Sequence, residues 1–300
     1  MTVYGWTGCR RALYPSGLPD LDYALNPYVG CEHGCKYCYS KAVLGDRRMA
    51  ENWGGFVLAK RGLLERLRAD LRRRPKGLIG VGTVTDPYQP LEAKLNLTGQ
   101  ALRLIEAYGF KASIQTKSPL VLRDGETIVR AGFDVGVTVT TLDEGVASLL
   151  EPGAPPPKAR IKALEKLSRL GVETWLFYGP IIPGVNDDPE TVSVVVGAAA
   201  SAGCSLLLYD LLNLKRWVLE FLAPALEELK PGLAGRLREN LNSRAYRENL
   251  SSLIQRACSR FRIECKPAFP APRGFKAPGE RGAGLLPWLE EEKNSNKPFR

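Results

Sequence analysis

Three of the seven cysteines, Cys31, Cys35 and Cys38, stand at spacing C-x3-C-x2-C inside the stretch NPYVGCEHGCKYCYS at 26–40. A thiolate is a soft ligand suited to iron–sulfur clusters. Three thiolates can hold three irons of a [4Fe–4S] cube and leave the fourth iron without a protein ligand, a vacancy where a small molecule can chelate. Zinc is the rival reading. A closed structural zinc site wants four ligands, and the nearest fourth is His33, the only histidine in the chain. It lies between Cys31 and Cys35, where four tetrahedral ligands in one tight loop would be cramped. Disulfide pairing is disfavoured by the odd count and by the character of the chain, described below.

The same residues resemble the signature of the radical S-adenosylmethionine superfamily, C-x3-C-x-(aromatic)-C, with Tyr37 as the aromatic. Five stretches together narrow the resemblance to the spore photoproduct lyase-like branch. They are CKYCYS at 35–40, TVTDPYQPLE at 83–92, TKS at 116–118, EP-x-AP…R at 151–160 and PIIPGVNDD at 180–188. The likeness covers roughly residues 20–212. It implies one [4Fe–4S] cluster on Cys31, Cys35 and Cys38, with S-adenosyl-L-methionine chelated at the open iron. It also implies an external one-electron donor of the ferredoxin or flavodoxin type. Reduction would cleave the cofactor to methionine and a 5′-deoxyadenosyl radical that abstracts hydrogen from a substrate; whether the enzyme is of lyase or transferase type is left open.

Residue by residue, the resemblance places Thr85 and Asp86 at the methionyl amino end and Lys117 against the methionyl carboxylate. Thr138 and Arg160 fall near the carboxylate and ribose. Gly179, Pro180 and Ile181 would receive the adenine, with Tyr37 beside it. Plainer readings stay open. Asp86 can begin the D-P-Y turn, Lys117 can be a surface lysine, and Arg160 can pair with Glu151. One departure matters. In spore photoproduct lyases a cysteine hydrogen donor precedes the Thr/Ser-x-Asp stretch, and here that position is Thr83, with no cysteine between Cys38 and Cys204. A threonine O–H bond is too strong to return hydrogen as a thiol does, so photoproduct repair by that route is not expected. Tyr39 can act as a hydrogen relay, or simply as a structural phenol near the cluster.

Four cysteines remain, Cys9, Cys204, Cys258 and Cys265. Their number allows a second cluster, although free cysteines are common core residues. Cys204 opens an apolar strand, and Cys258 and Cys265 are spaced so that they can pair.

The elements that must position these residues follow from the pattern along 300 residues, 44% hydrophobic and 25% charged, a composition of ordinary globular chains. No apolar run is long enough for a membrane span, and the first residues lack the features of a signal peptide. The chain is therefore expected in the cytoplasm, where thiols stay reduced. Residues 1–22 read as an irregular lead-in. From NPYVGC onward six apolar runs alternate with helical segments: 26–31, 77–83, 111–116, 134–141, 172–178 and 205–212. Continuous apolar runs of this kind read as parallel strands buried on both faces. Six βα units are too few for a closed eight-stranded barrel, so the expected fold is α/β, a partial, splayed (β/α)6 TIM-like barrel over 23–212. Function is expected at the carboxyl ends of its strands. Helices over 217–229, 233–241 and 245–261 form an appendage over 213–265, packed across the open side or underside, and 266–300 is a Pro- and Gly-rich tail.

A net charge of +10 favours a polyanionic partner such as nucleic acid, against the plainer reading of a basic surface. Three functions are therefore weighed: a radical enzyme acting on nucleic acid, one acting on a small metabolite, peptide or protein, and a non-enzymatic iron–sulfur protein.

Overall fold

The computed structural model describes residues 1–18 and 20–269; most of the expected tail lies outside the described residues. Eleven strands occur among them: β1 (Val3–Gly8), β2 (Leu13–Pro15), β3 (Tyr23–Leu25), β4 (Tyr28–Val29), β5 (Phe56–Arg61), β6 (Leu78–Val81), β7 (Lys111–Thr116), β8 (Asp134–Thr138), β9 (Thr174–Ile181), β10 (Leu206–Leu211) and β11 (Glu264–Pro267). The main sheet has eight strands in the order β2-β3-β6-β7-β8-β9-β10-β11. Every neighbouring pair is parallel except β2 with β3. Its six central strands, β3 and β6 to β10, with their helical crossovers, are the expected partial (β/α)6 barrel.

The helices form because their apolar residues recur on one face. Leu63, Leu67 and Leu71 of helix Leu63–Arg73 are buried, and so are Ala163, Leu164 and Leu167 of helix Pro157–Arg169. These stripes meet the outward side chains of the strands, Ile79 and Val81, Ala112 and Ile114, Val135 and Val137, Leu176 and Tyr178. Alternation along a strand sends the intervening residues into the lumen.

Several expectations are corrected. The first barrel strand is β3, not NPYVGC; Tyr28–Val29 instead joins a separate three-stranded sheet in the order β1-β5-β4. The lead-in is not irregular, since it supplies β1 to that sheet and β2 to the edge of the barrel. The strands are not apolar on both faces. The lumen side of β7 to β9 carries a polar layer at its amino end, where Ser113 Oγ and Trp175 Nε1 both donate to Asp134 Oδ1, at 2.6 and 2.7 Å. The Trp175 ring lies where a Cβ on Gly136 would sit, so the sequence DVG is small there for a packing reason. The start of the expected tail is ordered as β11, parallel to β10. The appendage divides. Helices Val218–Leu229 and Leu233–Asn242 pack beside Cys35 and Tyr37, whereas Arg244–Phe261 packs on the outer face of the barrel. No helix among the described residues is long and apolar enough to cross a membrane.

Candidate active site

The cysteine loop begins where β4 ends and crosses the carboxyl ends of the barrel strands. Gly30 sits at φ +83°, and a Cβ there would meet the Phe56 carbonyl at 2.5 Å. Only glycine allows β4 to turn this close beneath β5. Gly34.N donates to Cys31.O at 3.3 Å and Cys38.N to Cys35.O at 3.2 Å, so two turns set the spacing of the thiols. The loop is clamped from the far side by the sequence LEPG at 150–153. Lys36.N donates to Leu150.O at 2.8 Å and Gly153.N to His33.O at 3.0 Å.

A second clamp is one that reading by motif did not single out. Gln89, fully buried, accepts from Glu32.N at 2.9 Å through Oε1 and donates to Thr85 Oγ1 at 3.0 Å through Nε2. Thr85 in turn donates to Gly30.O at 2.6 Å. Glu32 accepts from Tyr4 and from Leu91.N, at 2.7 and 3.0 Å. The signal was present as a glutamine one turn after Thr85, but a buried amide has no spacing rule that marks it.

Cys31 and Cys35 are buried, and Cys38 is partly exposed. Burial pushes the Cys31 thiol well above its ordinary value, and pushes Cys35 up to about 12. Both would lose a proton on taking a metal, because the thiolate is the ligand.

Asp86 follows β6, and the structure commits both of its oxygens. Oδ1 accepts from Thr116 Oγ1 at 2.6 Å and Tyr88.N at 2.8 Å. Oδ2 accepts from Lys117.N at 2.7 Å and faces His33 Nδ1 at 3.4 Å. Burial alone would raise this carboxyl, but His33, the Thr116 hydroxyl and the Lys117 N–H outweigh it and hold it at about 2. The D-P-Y turn is therefore real, and its aspartate also joins β7 to the cysteine loop.

Lys117 extends past β7 with its ammonium 5.6 Å from the centre of the Tyr37 ring. Burial would lower it, but the Cys35 sulfur and the Glu151 carboxylate together hold it above its ordinary value. Among the described residues it has no carboxylate within ion-pair distance. Its side chain is partly exposed and lies beside the Tyr37 ring.

Arg160 and Glu151 form an ion pair at 2.5 Å with each side chain 1% exposed. Arg160 also donates to Pro155.O at 2.7 Å and Thr138.O at 3.2 Å. The Tyr37 hydroxyl donates to Glu151, which accepts from Thr140 Oγ1 as well, at 2.8 Å. The pairing that was one reading of Arg160 thus exists, and it seats the Tyr37 ring. Thr138 Oγ1 accepts from Gln115 Nε2 at 3.2 Å inside the lumen.

Gly179, Pro180 and Ile181 close β9, with Ile181 fully buried. Asn186, also fully buried and not singled out from sequence, ties this end together. It accepts from Ile182.N at 2.6 Å and donates to Thr140.O at 2.7 Å and Pro180.O at 3.1 Å. Tyr39 donates to the carbonyl of Thr83, and Thr83 Oγ1 accepts from Asn26 Nδ2 at 2.8 Å. Lys215 stands 5.3 Å from the centre of the Tyr39 ring, beside exposed Arg216.

The remaining cysteines are dispersed. Cys258 and Cys265 are joined as a disulfide between helix Arg244–Phe261 and β11. Cys9 packs against one half of the barrel core and Cys204 lies in the other.

Residues 25–193, more than half of the chain, match the family model for the Radical SAM superfamily. The chain belongs to that superfamily. An uncharacterized protein of Methanocaldococcus jannaschii, MJ0683, is 30% identical over 69% of this chain and 76% of its own length. Another from Mycobacterium tuberculosis, Rv2578c, is 29% identical over 88% of this chain and 80% of its own. Among solved structures, a spore photoproduct lyase variant with bound AdoMet and dinucleoside spore photoproduct superposes at TM-score 0.65. That match covers 89% of this chain and 82% of that one, at 14% identity. The fold is therefore the partial barrel of that lyase. Members of the superfamily are enzymes that use a [4Fe–4S] cluster and S-adenosylmethionine, with electrons from an outside donor.

The residues present fit those groups. The fit is one of donor chemistry: three soft thiols stand on one loop at the barrel mouth, while among the described residues no three Cys, His, Asp or Glu side chains are gathered closely enough to hold a metal ion as they stand. A partly buried ammonium, Lys117, stands beside them with no carboxylate within ion-pair distance among the described residues. A buried imidazole nitrogen, His33 Nε2, has no hydrogen-bond partner either.

Proposed function

We propose that this chain is a radical S-adenosylmethionine enzyme whose substrate is nucleic acid. The observation that carries the radical reading is the Cys31–Cys35–Cys38 loop set at the carboxyl ends of the barrel strands beside Lys117, which has no carboxylate within ion-pair distance among the described residues. A reduced cluster held by these cysteines would supply one-electron reductive cleavage of S-adenosylmethionine, the chemistry that starts hydrogen abstraction from substrate. The chain's own part is to hold and to shield. Cys31, Cys35 and Cys38 hold the cluster, and Lys117 meets the methionyl carboxylate as a point charge. Tyr37, fixed by Glu151 and the Arg160 behind it, offers a ring face to the adenine, with Gly179, Pro180 and Ile181 opposite. Thr85 and Thr138 hold the walls of the pocket through Gly30 and Gln115. Helix Val218–Leu229 covers the loop and keeps water from the radical.

Nucleic acid is favoured by the net charge of +10 and by exposed Lys215 beside Tyr39, followed by exposed Arg216 against Trp217. The fold's likeness to a lyase solved with a bound dinucleoside spore photoproduct supports the same class. Thr83 in place of a thiol argues against lesion reversal of that lyase's kind, and Tyr39, bonded to the Thr83 carbonyl, is positioned to relay hydrogen instead.

The test is oligonucleotide binding across a salt series. The logarithm of affinity should fall steeply with the logarithm of salt, and replacing Lys215 and Arg216 by alanine together should reduce the slope by about 2. Binding that is absent or indifferent to salt would turn the reading to a small metabolite, peptide or protein substrate.

A further inference from the structure

Half of the large apolar side chains exposed among the described residues fall at the start of the chain, as Met1, Val3, Tyr4 and Trp6. Three of them belong to β1, which is the edge of its sheet and is paired with β5 alone. Alternation along a strand puts Tyr4 and Trp6 on one face, opposite Val57 and Ala59 of β5. Those two are fully buried in a cluster with Tyr28 and Leu91. Tyr4 and Trp6 lie outside that cluster and stay 44% and 51% exposed, so each ring keeps open surface.

Each ring also has a cation at its side. Lys94 Nζ stands 5.5 Å from the centre of the Tyr4 ring, and the Arg61 guanidinium 5.8 Å from that of Trp6. Both cations are exposed, and neither has a carboxylate within ion-pair distance among the described residues. Glu32 is engaged: it accepts from Tyr4 Oη at 2.7 Å and from the Leu91 backbone N–H at 3.0 Å. Because Glu32 follows Cys31, the strip of rings begins at the cysteine loop. It runs along β1 past Trp6 and leads to Arg10 and Arg11, both exposed.

Open rings flanked by cations suit a chain that alternates flat bases with phosphates. Stacking on an aromatic side chain accepts any base, and cations along the track meet the backbone. Positions two apart on a strand are about 7 Å apart, about twice the rise of stacked bases, so each ring has room for a base of its own. A duplex keeps its base faces inside the stack and cannot use them. A second copy of this chain added to the β1 edge would line up the cations of both copies along one seam, where like charges repel. We propose that Tyr4 and Trp6, with Lys94 and Arg61, form a docking strip for single-stranded nucleic acid, holding nucleotides that flank the one at the cysteine loop. This rests on the nucleic-acid reading above and narrows it to the single strand.

The test measures binding of a short oligodeoxythymidine and the matching oligouridine to the full reconstituted chain, beside a duplex and an abasic strand of the same length. Wild type should prefer the single strands to both of the others, and the tighter of the two names the sugar. Trp6→Ala should weaken single-strand binding about tenfold, whereas Trp6→Tyr, which returns a ring, should stay within about threefold of wild type. Replacing Lys94 and Arg61 together by glutamine should reduce the salt slope by about 1.4 and keep the preference for base-bearing over abasic strands. Abasic and base-bearing strands bound alike would overturn the strip, and that comparison needs only the unaltered protein. Single-strand binding by Trp6→Ala equal to that of wild type would overturn it too. So would a wild-type dimer, seen by sedimentation, that Trp6→Ala converts to monomer, since the face would then belong to a second copy. If wild type binds no oligonucleotide, the nucleic-acid reading fails and this inference with it. Binding that ignores Trp6 removes the inference alone.

Discussion

At the scale of single residues, the site depends on a buried charge pair that touches nothing reactive. Glu151 and Arg160 are each 1% exposed, and the pair's outward service is to fix the Tyr37 hydroxyl. Taking both charges out of water is expensive, and removing one partner strands the other. Arg160→Met should cost about 3–5 kcal/mol in urea unfolding, and Arg160→Met with Glu151→Leu should recover most of that loss. Equal losses from the single and double variants would mean that packing, not charge, holds this corner. Gly153 makes a second point. A Cβ there would meet the Glu32 carbonyl at 2.1 Å, so Gly153→Ala must push the cysteine loop away from its clamp. We expect reconstituted Gly153→Ala to bind well under half the iron of wild type, with its circular dichroism unchanged.

Among residues, the chemistry was more legible than the scaffolding. Cysteine spacing is a signal because metal geometry imposes it. Gln89, Asn186 and Glu151 carry no comparable signature, because a buried polar hub is defined by partners far apart in sequence. Gln89 reaches Glu32, and Asn186 reaches Thr140. His33 was visible only as a poor fourth ligand.

At the scale of elements, the strand ends carry the function, and β10 shows what this costs. Pairing with β9 is irregular between Tyr209 and Leu211, and Asp210 at that irregularity has no ion pair among the described residues, with only the Leu211 backbone N–H to favour its charge. Burial raises its carboxyl to about 6. The folded state therefore holds this proton more tightly than the unfolded chain, so Asp210 weakens stability as pH rises from about 4 to about 6 and leaves it unchanged below that window. Asp210→Asn should raise stability at pH 7 by about 1–3 kcal/mol, with no gain near pH 4. A thermal-melt gain that is the same at both pH values would contradict the assignment of burial as the cause.

The six-unit alternation of strand and helix was readable because both faces of each strand's register are constrained. The exact first strand was not. NPYVGC and the three residues of β3 are both short and apolar, and only pairing decides that β3 joins β6 while β4 joins β5. The separate sheet built by β1, β4 and β5 depends on contacts between residues 3–8 and 56–61, a separation that local pattern cannot show. Strand polarity was also missed. The lumen residues Ser113, Asp134 and Trp175 satisfy one another, so alternation carries buried polar groups that look like exceptions in sequence.

At the scale of the whole molecule, the appendage and the barrel make one device. Helix Val218–Leu229 brings Val218, Leu222 and Leu226 against Cys35 and Tyr37, so the covering of the cluster loop comes from beyond the last barrel strand. Exposed Lys215 stands 5.3 Å from the centre of the Tyr39 ring, with exposed Arg216 next to it in sequence. The disulfide between Cys258 and Cys265 anchors the closing edge strand to its helix and takes two cysteines out of the supply for a second cluster. The central claim is that three cysteines at this mouth make a radical from S-adenosylmethionine. It is tested most directly by anaerobic reconstitution of wild type and of the Cys31→Ala, Cys35→Ala, Cys38→Ala triple variant, each then given reductant and S-adenosylmethionine. Wild type should bind about four irons and four sulfides and release 5′-deoxyadenosine and methionine in equal amounts, while the triple variant should bind no cluster and release neither. A wild-type protein that carries its full cluster, is reduced, and yields no 5′-deoxyadenosine would contradict the account.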